Sequence, residues 1–254
     1  MNFYIVIPAR MQSSRLQGKV LKKICGLPML EHCFIRASKA VSKKNIFLAI
    51  CDKETETFCK EKNINYVKTS ISHKRALTRT AEAVKKIKFI KKEDVIIMYQ
   101  GDEPFLNPKN IKKVINKFKS IKNLEVLNLL LKTKEKNLIN NPNNVKAILN
   151  EKNEIIYYSR LPIPYCLNNL KYYFIQTGLI AIKKKKISTF ASKKSSKHEK
   201  LESVDMNRLI DKSIKINSLL TNNFGFGVDT PQDLRRANKI MKKDKIFKTY
   251  KNDI

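Results

Sequence analysis

The sequence has few of the side chains that bind transition metals or cross-link a chain. It contains five cysteines and three histidines, and no two cysteines have the C-x-x-C spacing. No histidine stands at metal-ligand spacing from a cysteine, so neither a zinc site nor a disulfide framework is indicated. Nothing resembles a Ser-His-Asp or Cys-His arrangement for covalent catalysis. We expect the cysteines to be buried, reduced thiols.

Long apolar runs are also missing. No apolar stretch approaches the roughly 20 residues that a membrane-spanning helix needs. The initial methionine leads almost directly into a short apolar run at residues 3–7, which leaves no room for the regions of a secretory signal peptide. We therefore expect no membrane insertion and a cytoplasmic location.

Acidic residues are scarce relative to basic ones. The chain has 22 Asp and Glu against 53 Lys and Arg, for a formal net charge of +31. Such an excess can bind polyanions by releasing counterions. The lysines are spread along the whole chain, however, and only residues 183–186 and 193–197 come close to runs. We expect no specific nucleic-acid partner, with a basic RNA-binding protein as the alternative from another functional class.

Apolar periodicity predicts alternating strands and helices in the first hundred residues. The predicted elements are strands at 3–7, 46–50, 66–67 and 95–99 and helices at 30–37, 54–61 and 76–87. The continuously apolar runs are typical of parallel strands covered on both faces. Alternation of this kind indicates βαβ units joined by right-handed crossovers, and hence a layered α/β sheet.

The second half of the chain changes character. Residues 145–149 and 154–159 flank a turn-forming tetrapeptide and predict a small antiparallel hairpin. Beyond it we predict a strand at 174–182, a helix at 199–212, an edge strand at 214–220 and a last helix with Thr230 as N-cap and Pro231 at its first position. With 254 residues, of which 42% are hydrophobic, the chain is expected to form a single domain spanning 1–254.

The segment after the first predicted strand has the features of a phosphate-binding loop. The strand stops at Pro8, and the polar loop that follows carries Arg10, Ser13, Arg15 and Lys19. Ligands of open α/β sheets bind beyond the carboxyl ends of the strands. Guanidinium groups grip pairs of phosphate oxygens, and small residues let the backbone approach them. The loop is thus a candidate triphosphate site, with a solvated basic loop as the alternative.

Two aspartates are candidates for a metal site. Asp102 lies in the sequence Gln-Gly-Asp-Glu-Pro at residues 100–104, directly after the predicted strand at 95–99. Asp229 precedes the last helix, where a simple capping turn is the alternative. Mg²⁺ prefers a few protein carboxylates combined with substrate phosphates and water. A phosphate loop with two such carboxylates indicates metal-dependent nucleotidyl transfer.

These motifs carry a family resemblance. The matching blocks are residues 7–10 (Ile-Pro-Ala-Arg), 14–16 (Ser-Arg-Leu), 18–19 (Gly-Lys), 100–104 (Gln-Gly-Asp-Glu-Pro), 158–160 (Tyr-Ser-Arg) with 162–164 (Pro-Ile-Pro), and 227–231 (Gly-Val-Asp-Thr-Pro) with 233–234 (Asp-Leu). In this order they closely resemble the 3-deoxy-manno-octulosonate cytidylyltransferases, or CMP-Kdo synthetases. A plain sugar nucleotidyltransferase would instead have a G-x-G-T-R loop.

The resemblance implies a fold and a reaction. The fold is a glycosyltransferase A-like (nucleotide-diphospho-sugar transferase) α/β layered sheet with helices on both faces and a small antiparallel hairpin region. Enzymes of the family are usually homodimers that use CTP and Mg²⁺ to make CMP-Kdo and pyrophosphate for lipopolysaccharide synthesis. The anomeric hydroxyl of the acidic 2-keto-3-deoxy sugar is the nucleophile.

The resemblance also assigns residues. By similarity, Arg10, Arg15 and Lys19 hold the triphosphate, Ser13 and Arg79 belong to the nucleotide site, Gln100 contacts nucleotide and sugar, and Asp102 and Asp229 hold the metal. Catalysis is assigned to Arg10, Lys19 and Asp102, because positioning and cancellation of charge on the pyrophosphate supply most of the rate enhancement.

Two further residues are assigned with alternatives. Arg160 resembles a family arginine near the sugar and could grip its carboxylate in bidentate fashion, while a structural ion pair is the alternative. His73 is a minor candidate for nucleotide contact, because no paired carboxylate is visible in the sequence.

Several positions depart from the family pattern. The S-G-T-D/E-R block is replaced by residues 75–79, in which only Arg79 is intact. The family histidine that faces the sugar corresponds to Gln176, a neutral side chain that still forms hydrogen bonds. Glu199 and Glu202 retain part of an acidic helix face, which either binds sugar or merely keeps the helix soluble. The leading alternative substrate is therefore a related sugar acid, such as an 8-amino Kdo analogue or an acylneuraminate.

Overall fold

A central mixed β-sheet organises the protein. The computed structural model describes residues 1–166, 172–222 and 225–251. The strands are β1 (Phe3–Pro8), β2 (Lys23–Ile24), β3 (Leu27–Pro28), β4 (Ile46–Ile50), β5 (Tyr66–Lys68), β6 (Val95–Tyr99), β7 (Val126–Thr133), β8 (Lys146–Leu149), β9 (Ile155–Ser159), β10 (Tyr173–Lys183) and β11 (Asn217–Thr221). The helices are α1 (Met29–Ser38), α2 (Lys53–Glu61), α3 (Ala76–Lys86), α4 (Pro108–Ser120), α5 (Lys136–Asn140), α6 (Lys184–Ser192), α7 (Lys197–Glu202), α8 (Met206–Ile210) and α9 (Pro231–Met241).

The strand order confirms the layered sheet and adds an antiparallel part. The order is β11-β7-β10-β6-β1-β4-β5, with β8 pairing to β10 and β9 to β8. The neighbours of β1, namely β4 and β6, are parallel to it, whereas β10 is antiparallel to both β6 and β7. The predicted hairpin is formed by β8 and β9 and extends this antiparallel part.

Helices cover both faces of the sheet, as predicted. Ile5 and Ile7 of β1 lie in one apolar cluster with side chains of α1, α2 and α4. Tyr4 and Val6 point the other way, into a cluster with α3, α6 and α8. Burying a side chain such as Ile5 contributes about 1.5–3 kcal/mol, so the alternating faces fix the register of β1.

A third apolar cluster joins the carboxyl-terminal part of the chain to the first helix. His32 of α1 is buried, with Nδ1 2.8 Å from Tyr250 Oη and Nε2 2.8 Å from the carbonyl oxygen of Ile24. On the same helix, Arg36 donates to Asp244 over 2.6 Å. These contacts hold α9 and the segment after it beside the small β2–β3 hairpin.

The structure differs from the sequence prediction in several elements. The helices α4, α5 and α6 and the strands β2, β3 and β7 were not predicted. The helix predicted at 199–212 is wrong in extent, because Ser203 has left-handed backbone angles and ends α7, after which α8 begins at Met206. The predicted edge strand at 214–220 is confirmed as β11, but it begins only at Asn217. No helix in the described ranges is long and apolar enough to cross a membrane.

The cysteines are free thiols, as expected, but only two of them are buried. Cys33 and Cys59 are buried, and burial raises the pKa of each thiol to about 12. Cys25, Cys51 and Cys166 are partly exposed.

Candidate active site

The parallel pairing of β1 and β6 brings two predicted loops to one edge of the sheet. Val6 of β1 lies opposite Met98 of β6, so the segments that follow these strands leave the sheet side by side. The basic loop after β1 and the acidic turn after β6 therefore open into the same cleft.

Lys19 joins the two predicted metal-binding aspartates. Its Nζ lies 2.5 Å from Asp102 Oδ2 and 2.8 Å from Asp229 Oδ1. Arg15 reaches the other oxygen of Asp229 over 3.2 Å. Burial alone would lower the pKa of Lys19, but the charges of both carboxylates raise it. For Asp229 the two effects have the opposite sign: burial would raise its pKa, but the charges of Lys19 and Arg15 lower it. Lys19 therefore stays a cation and Asp229 an anion.

Asp229 is free to face the cleft because its neighbours cap the helix. Thr230 Oγ1 accepts the Asp233 N–H over 3.1 Å, and the Asp233 carboxylate accepts the Thr230 N–H over 3.0 Å. The predicted N-cap is thus confirmed, and the capping alternative for the Asp229 carboxylate is wrong.

One cavity of the cleft is lined by every residue predicted to bind nucleotide. These residues are Arg10, Ser13, Arg15, Lys19, His73, Arg79 and Gln100, together with Asp102 and Asp229. We call it the first cavity. Its wall combines six Lys and Arg side chains with small residues of the loop after β1, which suits a phosphate chain.

His73 and Arg79 contribute to this cavity mainly through hydrogen bonds that connect the segments of its wall. The guanidinium of Arg79 is buried and donates to Thr69 Oγ1 over 2.6 Å and to the His73 carbonyl over 3.3 Å. Arg10 donates to the same carbonyl over 3.3 Å. The His73 ring contacts the carboxylate of Glu82 on α3, a partner that sequence analysis missed. The carboxylate partner of His73 that is not visible in the sequence is thus supplied by the fold.

A second cavity adjoins the first. The two share Gln100, Asp102 and Asp229. Its remaining polar lining comprises Glu103, Asn141, Asn143, Asn144, Gln176, Thr177, Asp233 and Arg236. Neutral amides and hydroxyls form much of this wall, which suits the hydroxyl groups of a sugar. Of the predicted sugar-binding residues, Gln100 and Gln176 lie here.

Gly178 leaves room for Glu103 in the wall of the second cavity. Its N–H donates to Glu103 Oε1 over 2.7 Å. A Cβ at position 178 would lie only 2.6 Å from that oxygen and 2.8 Å from the Gln100 side chain, so no other residue fits without displacing both. Burial, and then the charge of Asp102, raise the pKa of Glu103 to about 8.

Arg160 and Glu202 form a structural network outside the lining of both cavities. The guanidinium of Arg160 donates to the carbonyls of Glu202 and Pro142, each over 2.8 Å, and to that of Ser203 over 3.4 Å. The Glu202 carboxylate accepts the Ser159 hydroxyl over 2.7 Å and the Arg160 N–H over 2.9 Å. Arg160 thus makes structural hydrogen bonds, although with carbonyls instead of the ion pair considered above.

Glu199 also lies apart from the cavities. It is buried and accepts two hydrogen bonds from Arg208, over 2.6 and 2.7 Å. Burial would raise the pKa of Glu199, but Arg208 lowers it. The structure therefore places Glu199 in a buried ion pair with Arg208, and Glu199 lines neither cavity.

Asp102 and Asp229 have the chemistry that a Mg²⁺ site requires. Their carboxylates are hard oxygen ligands, and both already contact one ammonium group. No set of three or more His, Cys, Asp or Glu side chains in the described residues could hold a metal alone. An ion at these two carboxylates would therefore take its remaining ligands from substrate oxygens and water.

Comparisons with known proteins agree with the motifs. The sequence model of the family described as "Cytidylyltransferase" matches residues 4–216. The 3-deoxy-manno-octulosonate cytidylyltransferase of Fusobacterium nucleatum subsp. nucleatum is 34% identical over 97% of this chain and 99% of the relative. The 8-amino-3,8-dideoxy-manno-octulosonate cytidylyltransferase of Shewanella baltica is 30% identical over 93% of this chain and 97% of the relative.

A solved structure gives the same result. The structure of CMP:2-keto-3-deoxy-manno-octonic acid synthetase complexed with CTP superposes with a TM-score of 0.87 at 29% identity, covering 96% of this chain and 99% of that one. The similarity extends over nearly the whole chain, which confirms the predicted fold class. The chain belongs to the 3-deoxy-manno-octulosonate cytidylyltransferase family, and it is a nucleotidyltransferase.

Proposed function

We propose that the protein couples CTP to 3-deoxy-manno-octulosonate, giving CMP-Kdo and pyrophosphate for lipopolysaccharide biosynthesis. The observation that carries this proposal is the meeting of Lys19 with Asp102 and Asp229 where the two cavities join. A reaction between a nucleotide and a sugar requires such a shared boundary, because the two reacting atoms must approach each other there.

Each cavity binds one substrate. CTP occupies the first cavity, with its triphosphate against Arg10, Arg15 and Lys19. The sugar acid occupies the second cavity, with its anomeric hydroxyl directed at the α-phosphorus. The anomeric oxygen forms a bond to phosphorus and gives up its proton to solvent water, and the bond between phosphorus and the leaving pyrophosphate breaks. Fixed cations stabilise the charge that grows on the leaving pyrophosphate, and they need no reorganisation during the reaction.

The cofactor of the proposed reaction is Mg²⁺. Asp102 and Asp229 would hold it together with phosphate oxygens, since they are the carboxylates that line both cavities beside Lys19. When bound, the ion neutralises phosphate charge and orients the triphosphate.

We propose a cytoplasmic homodimer. Large apolar side chains are exposed on β9, on the segment after it and on α7, namely Ile156 (49%), Leu161 (70%), Tyr165 (88%) and Leu201 (70%). The Ser159–Glu202 hydrogen bond joins β9 to α7. Apolar exposure of this kind is typical of an interface. Light scattering should give a dimer mass for the wild type and a monomer mass for Leu161→Glu; a wild-type monomer would contradict the proposal.

The 8-amino Kdo analogue is the second candidate substrate. It is favoured by the 30% identity to the Shewanella baltica enzyme named for that sugar. The carboxyl groups of Glu103 and Asp233 in the second cavity could also meet an amino group.

A pyrophosphate-release screen tests the proposal. CTP and Mg²⁺ are offered with Kdo, its 8-amino analogue and N-acetylneuraminate in turn. We expect the highest kcat/KM with Kdo and no release without sugar. Preference for the 8-amino sugar would select the second candidate. No turnover with any sugar, together with RNA binding that falls steeply with salt and is untouched by Asp102→Asn, would select the RNA-binding alternative.

A further inference from the structure

Arg236 is the one basic side chain that lines the second cavity within the described residues. It lies on α9, in the helix whose N-terminus follows Asp229. Side chains of a helix lean toward its N-terminus, so an arginine at this position extends toward the end where Asp229 lies. Sequence analysis did not single it out, because an arginine on a polar helix has no distinctive local pattern.

The guanidinium of Arg236 packs on an aromatic ring. Its guanidinium carbon lies 4.8 Å from the centroid of the Phe226 ring. Phe226 stacks in turn on the buried ring of Phe105, with centroids 4.9 Å apart and planes inclined by 19°. A guanidinium on an aromatic face keeps its N–H groups free at the edge of the plane. Within the described residues, Arg236 makes no hydrogen bond or ion pair, so these donors are available to a ligand.

The other basic groups near the cavity already have partners. Arg160 donates to three backbone carbonyls and lies outside the lining. Lys19 bridges Asp102 and Asp229. Arg15 contacts Asp229 and donates to Asn143 over 2.8 Å. A sugar acid brings a carboxylate into a cavity whose own wall holds carboxyl groups, and a cation is needed to offset that charge.

We propose that Arg236 binds the carboxylate of the sugar acid in the second cavity and thereby selects 2-keto acid sugars over neutral sugars. This inference rests on the proposed function, since it assumes that the second cavity takes the sugar. Two parallel N–H···O bonds would fix the carboxylate, and with it the adjacent anomeric carbon, relative to Asp229. Arg160 has a structural role in this arrangement.

Steady-state kinetics with Arg236→Gln tests the inference, and Arg235→Gln is the matched control. Arg235 is the neighbouring exposed arginine on α9 and lines neither cavity. We expect Arg236→Gln to raise the KM for Kdo by about ten- to a hundred-fold while the KM for CTP stays unchanged. Arg236→Lys should recover part of the loss, and Arg235→Gln should behave like wild type. Thermal unfolding of all variants checks that the fold is retained.

The outcomes separate the inference from the proposed function. If the wild type releases pyrophosphate with Kdo but Arg236→Gln and Arg235→Gln have the same sugar KM, the inference is wrong and the function stands. If Arg236→Gln raises the KM for CTP instead, the arginine serves the nucleotide and the inference is wrong. If the wild type releases no pyrophosphate with any sugar acid, the inference and the proposed function are both wrong.

Discussion

Asp102 and Asp229 lie far apart in the sequence, yet their carboxylates contact the same nitrogen, Lys19 Nζ, at 2.5 and 2.8 Å. Asp102 follows β6, and Asp229 precedes α9. Their meeting defines the boundary between the two cavities, and the proposed chemistry depends on it.

Replacing Gly178 by alanine should damage catalysis more than stability. The new Cβ would press on Glu103 Oε1 and on Gln100, at 2.6 and 2.8 Å, and displace a side chain that lines both cavities. A misplacement of reacting groups by about 1 Å can lower the rate by about a hundred-fold. We expect kcat/KM to fall by at least about ten-fold in a pyrophosphate-release assay.

Gly225→Ala is the control for that change. A Cβ there meets backbone atoms only at 3.4 Å or more, which is ordinary contact. Equal activity of the two alanine variants would show that the tight fit at Gly178 has no catalytic importance.

Glu82→Gln should weaken CTP binding through the wall of the first cavity. Glu82 contacts the His73 ring and accepts the Ser70 N–H over 2.9 Å, and the His73 carbonyl accepts a hydrogen bond from Arg10. Loss of the charge should loosen the position of Arg10. We expect the KM for CTP to rise by about three- to ten-fold, with a smaller change in the KM for sugar.

Glu61→Gln provides the comparison, because Glu61 is exposed at the end of α2. A Glu82→Gln enzyme with an unchanged KM for CTP would argue that His73 and Arg10 are positioned without this carboxylate.

His32 should make stability depend on pH. Burial lowers the pKa of His32 from 6.5 to about 4, and the carbonyl of Ile24 offsets part of this effect. Between about pH 6.5 and 4 the unfolded chain takes up a proton that folded His32 does not, so the stabilisation present above pH 6.5 is lost as the pH falls. The full difference is about 3 kcal/mol.

Urea unfolding of wild type and His32→Gln from pH 7.5 to 4.5 measures this contribution. The free energy of unfolding of the wild type should fall more steeply toward low pH than that of the variant. Parallel curves would show that His32 does not contribute to the pH dependence.

The sequence predicted those strands whose apolar runs are continuous. The strands at 46–50 and 95–99 match β4 and β6. β7 was missed because Asn128 interrupts its apolar pattern. The amide of this residue is buried and donates to the carbonyls of Thr177 and Leu179, where the pairing of β10 with β7 shifts register. Such a partner cannot be deduced from local periodicity.

The first cavity was predictable and most of the second was not. The residues of the first cavity come largely from motifs beyond the ends of strands, so their types and positions indicate their role. The second is built from scattered asparagines and from Arg236, which have no common motif. Arg160 was assigned by resemblance, but its donors satisfy the carbonyls of Glu202, Pro142 and Ser203, a fact that only the tertiary structure contains.

The most direct test of the central claim is pyrophosphate release from CTP and Kdo at saturating Mg²⁺ by Asp102→Asn and Asp229→Asn, with the surface variant Asp211→Asn as control. If the two aspartates act at one site between the cavities, each change should lower kcat by at least about a hundred-fold with little change in thermal stability, and Asp211→Asn should match wild type. Release at the wild-type rate by either Asp102→Asn or Asp229→Asn would contradict the account.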